Sequence, residues 1–110
     1  MDLDIRIGNN SLPVDIKNPF RFDISAVMND IIEFGNKNKV ALESYELDKL
    51  ITRMIKGVAG CEAGCPSDAH NVVRQGFGNF KLEYVEGGIL TAVQHLENSR
   101  ELEIKIFPDF

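Results

Sequence analysis

A chain of 110 residues with 44% hydrophobic and 26% charged side chains has the make-up of one globular domain built around a single core. Its net charge of -5 and its scattered Lys and Arg argue against nucleic acid and anionic membranes as partners, because both are bound mainly through basic side chains. The acidic start Met1-Asp2-Leu3-Asp4 lacks the basic and apolar regions of a signal peptide. No apolar run approaches the roughly 20 residues needed to span a bilayer, so a cytoplasmic location is the expectation.

Leu3, Ile5 and Ile7 alternate with Asp4 and Arg6, Gly8-Asn9-Asn10 supplies turn chemistry, and Leu12, Val14 and Ile16 resume the alternation. This pattern predicts an opening β-hairpin. Pro13 has no N–H to give a ladder, which sends the second strand to an edge or an irregular position. Ile24, Val27, Met28, Ile31 and Ile32 follow the stripe of a helix, with Asp23 or Ser25 as its cap and Gly35 as its stop. A polar loop, Asn36 to Lys39, follows. Leu47, Leu50, Ile51, Met54, Ile55 and Val58 then predict a second amphipathic helix, capped by Ser44 and ended at Gly57. Its wet face carries Glu46, Asp48, Lys49, Arg53 and Lys56. Pro66 to Gln75 predicts a short third helix, with Ala69, Val72 and Val73 as its apolar face and Gly76 as its stop.

The last third predicts a three-stranded meander. A two-residue turn at Gly87-Gly88 sets Phe80 opposite His95, Leu82 opposite Val93 and Tyr84 opposite Thr91. A second such turn at Asn98-Ser99 sets Leu102 opposite His95, Ile104 opposite Val93 and Ile106 opposite Thr91. The two turns agree on one apolar face of Phe80, Leu82, Tyr84, Val93, Leu102, Ile104 and Ile106, leaving Lys81, Glu83, Gln94, Glu103 and Lys105 on the other. The fold expected over residues 1–110 is a single α+β domain: an N-terminal β-hairpin, two to three helices and a C-terminal three-stranded antiparallel meander, with the helices on one sheet face.

Folding alone does not account for the stretch from Gly60 to His70, which holds both cysteines of the chain, Cys61 and Cys65. Gly60 and Gly64 let the backbone bend the two thiols toward each other. With Pro66 as the first helical residue, Cys65 becomes the N-cap, where the positive helix end lowers a thiol pKa and Glu62 opposes that effect. Cys61-x3-Cys65-Pro66 resembles the second half of the bacterial ferredoxin motif for a four-iron cluster, C-x2-C-x2-C-x3-C-P. The first two cysteines of that motif would fall on Ile55 and Val58, which are apolar stripe residues. The resemblance therefore implies an iron–sulfur cluster only if a second subunit or a partner supplies the missing ligands. For zinc the chain offers Cys61, Cys65, His70 and His95, of which the register places His95 on the apolar sheet face and leaves His70 as the better third ligand. A reversible dithiol–disulfide is a further reading, and buried cysteines filling a helix–helix corner another. The cofactor stays open between an iron–sulfur cluster, zinc and none.

The acidic pairs Asp2/Asp4, Glu43/Glu46 and Glu97/Glu101 read as solvated faces and complements to helix dipoles, and neither Gly76-Phe77-Gly78 nor Gly87-Gly88 matches a nucleotide-binding loop. No substrate pocket assembles from these motifs, so the expectation leans away from an enzyme. It is a small accessory protein with a Cys61/Cys65 thiol site, acting with a protein partner or as a homodimer. The alternative is a non-catalytic interaction domain with structural cysteines, its contact surface including Phe107 and Phe110.

Overall fold

The computed structural model describes residues 1–19, 21–62 and 67–108, with side chains for all of these except 61, 62 and 67. Strands β1 (Asp2–Ile7) and β2 (Asn10–Asp15) form the opening hairpin. Helices α1 (Ser25–Lys37), α2 (Ser44–Glu62) and α3 (Ser67–Gln75) follow, and strands β3 (Lys81–Val85), β4 (Ile89–His95) and β5 (Glu101–Phe107) complete the chain. The five strands make one antiparallel sheet in the order β2-β1-β5-β4-β3, so the meander joins the hairpin through β1 and β5. This is an α+β architecture, as the sequence predicts. No helix among the described residues is long and apolar enough to cross a membrane.

Helices cover one face of the sheet. Leu3, Ile5 and Ile7 of β1 pair with Ile106, Ile104 and Leu102 of β5, and all six are essentially inaccessible to water. Leu47, Leu50, Ile51, Met54, Ile55 and Val58 of α2 share the core cluster with them, in the stripe their spacing predicts. The opposite face is open and carries a checkerboard of charge. Asp4 stands opposite Lys105 and Arg6 opposite Glu103, while Arg6 also lies 3.8 Å from Asp4 and Lys105 3.2 Å from Glu103. Unlike charges directly across a ladder support the pairing modestly.

The expected hairpin forms, with Leu3 opposite Val14 and Ile5 opposite Leu12, closed by Gly8 at φ +59. The meander does not. Leu82 faces Ala92 rather than Val93, and Ile104 also faces Ala92. The cause is turn length: Glu86, Gly87 and Gly88 make a three-residue turn, and Leu96 to Arg100 make a five-residue loop around the short 3-10 turn Glu97–Ser99. Each loop differs from the expected two residues by an odd number, so β4 is flipped relative to both neighbours while β3 and β5 keep a common phase. Leu90 and Ala92 point into the core, and Val93 and His95 point outward.

Two glycines expected to end helices lie inside them instead. Helix α1 runs past Gly35 to Lys37 because the returning chain packs against that glycine: the Val40 N–H donates to the Gly35 carbonyl at 2.9 Å, and an added Cβ would stand 2.7 Å from Leu42 Cδ1. Helix α2 runs past Gly57 to Glu62, and Gly57 gives room to Val72 of α3, whose Cγ2 would lie 3.0 Å from an added Cβ. Gly76 ends α3 as expected, its N–H donating to the Val72 carbonyl at 3.1 Å. At the start of α1 the Asp23 carboxylate accepts from the Ser25 hydroxyl at 2.7 Å and the Ser25 N–H at 3.0 Å, and these bonds, the hydroxyl's first, hold its pKa below the ordinary carboxylate value.

Candidate functional site

The cysteine segment joins α2 to α3, and the packing of those two helices defines its surroundings. Ala69, fully buried, and Val72 on α3 meet α2 at Gly57. One turn further along α2, Gly60 lies under the Asp68 side chain, and an added Cβ would come within 2.9 Å of Asp68 Cγ and 3.0 Å of its Cβ. Small residues at 57 and 60, one helical turn apart, thus let the first turn of α3 close onto the last turns of α2. The backbone of Cys61 belongs to that last turn. Its thiol, Cys65 and the expected N-terminal Pro66 of α3 lie outside the described residues, and α3 is described from Ser67.

His70 is exposed and stands edge-on to the Tyr84 ring, with centroids 4.8 Å apart and planes at 77°. It therefore faces β3, whereas Asp68, two residues earlier, faces α2. His95 is not the core residue its expected register made it. The flipped β4 puts it on the open sheet face, 81% exposed, with Nδ1 3.3 Å from Glu101 Oε1. The two histidines consequently stand on opposite sides of the sheet, and a zinc site combining them is not available in this fold. Among the described residues no three His, Cys, Asp or Glu side chains gather in a way that could hold a metal ion.

Two hollows stand out among the described residues, one at this corner and one toward the other edge of the sheet. A groove of about 650 Å³ runs between α2 and α3, lined by Tyr45, Asp48, Lys49, Thr52, Arg53 and Lys56 on one side and by Asp68, Asn71 and Val72 on the other. Within it Lys49 sits 4.2 Å above the Tyr45 ring, Thr52 donates to Asp48 at 3.1 Å, and Arg53 lies over Phe77, 5.1 Å from its centroid. Tyr45 itself is 67% exposed. The helical spacing of 45, 48, 49, 52, 53 and 56 was visible in the sequence, but it reads as a wet helix face until α3 supplies the second wall. The other hollow, about 670 Å³, lies at the ends of β1, β2 and β5 and is lined by Asp2, Asp4, Pro13, Asp15 and the half-buried Phe107. Phe110 lies outside the described residues.

No family model matches the chain, and no curated protein or solved structure matches it.

Proposed function

We propose that the chain is a small accessory protein whose Cys61-x3-Cys65 segment is a thiol site, used for dithiol–disulfide exchange or for metal or iron–sulfur ligation together with a protein partner. The observation that supports this reading is the clamp at Gly60. With Asp68 seated on that glycine, the chain is anchored one residue before Cys61, within the last turn of α2, and again three residues after Cys65. A chain pinned so closely at both ends loses much of the freedom that would keep two thiols apart.

As a redox couple, the Cys65 thiolate attacks one sulfur of a partner disulfide and expels the other as a thiolate. Cys61 then attacks the mixed disulfide, which forms the Cys61–Cys65 bond and releases the partner as a dithiol. As a ligating pair, the two thiolates fill half of a four-ligand site, and a second subunit or a partner completes it. Asp68 in the first turn of α3 already complements the positive end of that helix, so it competes with a thiolate for the same field.

Purification without oxygen, followed by the absorption spectrum, iron and zinc content and thiol counts before and after mild oxidation, tests this reading. Stoichiometric metal, or reversible loss of both thiols without metal, is the expected result. Neither outcome, with both thiols resisting alkylation until the chain unfolds, overturns the proposal and leaves an interaction domain with structural cysteines.

A further inference from the structure

The two edges of the sheet are not alike. Edge strand β2 carries Pro13, which cannot donate to an added strand, and Asp15 at its end stands opposite Asp2. Edge strand β3, Lys-Leu-Glu-Tyr-Val, contains no proline, and among the described residues no strand lies beyond it. Its outward residues Lys81 and Glu83 are exposed, while Leu82 and Tyr84 face the helical side. We infer that β3 pairs antiparallel with β3 of a second copy of this chain, about a two-fold axis through Leu82, so that one sheet runs across a dimer.

Charge chooses both the occupant and the register. A two-fold axis perpendicular to the sheet keeps the helices of both copies on one side and pairs only residues of like face. Centred on Leu82, the pairing sets Lys81 against Glu83 of the second copy, and symmetry repeats that unlike pair. On the helical face the same register sets Leu82 against Leu82 and Phe80 against Tyr84. Centring on Lys81 or on Glu83 instead sets like charges directly opposite each other, which is destabilising. Centring on Tyr84 carries Lys81 past the end of the partner strand to Gly87. The strand is therefore complementary to itself in one register. Within one chain the neighbours of Lys81 and Glu83 on β4 are Val93 and Thr91, both uncharged, so the alternating charges of β3 have no unlike partner across that ladder.

Sedimentation equilibrium of the full chain over a micromolar concentration range tests the inference, with circular dichroism confirming that each variant is folded. The wild type forms a dimer that weakens with added salt, as exposed ion pairs do. Lys81→Glu and Glu83→Lys each place two like-charged contacts across the axis and weaken dimerisation roughly tenfold or more. The double variant Lys81→Glu/Glu83→Lys recreates the unlike pairs with the signs exchanged and restores the dimer. A monomer at every concentration overturns the inference. So does a dimer that ignores both single reversals, or one that the double exchange fails to restore.

Discussion

Strands β1 and β4 flank β5 on either side, yet different physical devices decide which way they face. In β1 the faces are unambiguous: Leu3, Ile5 and Ile7 against Asp2, Asp4 and Arg6. A one-residue slip there would bury three charges, which no turn could offset. In β4 both faces are acceptable to a core: Leu90, Ala92 and Gln94 against Ile89, Thr91, Val93 and His95. The second set is even the more apolar in bulk, but the loops on either side turn it outward. The orientation of β1 is a property of its side chains, and that of β4 is imposed by its connections.

The sharpest way to break this contrast is to put a charge on each face of β4. Ala92→Glu buries an unpaired carboxylate at a position with no solvent access and is expected to cost about 4 kcal/mol or more, a large part of a small domain's stability. Val93→Glu, on the open face between Lys81 and Glu103, is expected to change stability by no more than about 1 kcal/mol. Urea denaturation of both variants checks the pair. Equal losses, or the reverse order, would return β4 to the register with Val93 inside.

A smaller effect sharpens the role of the turns. Gly8 at φ +59 and Gly87 at φ +88 both have open space where a Cβ would go, so Ala at either site is penalised by backbone conformation alone, by about 1–2 kcal/mol. The consequences should differ in extent. At Gly8 faster amide exchange is expected to stay within the turn, because the residues of β1 hold their own face. At Gly87 it is expected to spread along β4, whose residues do not.

The smallest effect is a control outside both strands. Asp23 gains its depressed pKa from Ser25, so Ser25→Ala should raise the Asp23 carboxyl pKa toward the ordinary value in an NMR titration. Because the folded value is the lower one, the linked stabilisation is present above the unfolded pKa and is lost as pH falls through the folded one. The expected signature is a slightly weaker acid dependence of α1 in the variant, with both strands unchanged.

The residues themselves disclose a good part of this structure. The helical stripe of α2 and the alternation of β1 and β5 each place hydrophobic groups where only one geometry buries them, and the α+β class follows from their order. Glycines are where such reading fails. Gly35 and Gly57 read as helix stops and Gly60 as a bend, but all three are contact points whose meaning resides in Leu42, Val72 and Asp68, residues apart in sequence. The meander fails differently: two turns of equal parity agree with each other, yet both pass through the same middle strand, so their agreement does not detect a flip of that strand. The site is legible only as a motif. Cys61 and Cys65 stand out by composition, His70 turns toward Tyr84, and the partnership of His95 with Glu101 depends on a loop length that alternation does not encode.

Placing two glycines in the last six residues of α2 has a thermodynamic consequence. Each weakens helix propensity by about 1 kcal/mol relative to alanine, so this stretch has little intrinsic reason to stay wound. Its order is borrowed from α3, which latches over both sites. Opening should therefore be cooperative and local, with the segment bearing Cys61 and the helix above it fraying together while the sheet and the rest of α2 hold. Any reagent that reacts with that segment would then report the equilibrium between latched and unlatched forms rather than the unfolding of the whole chain.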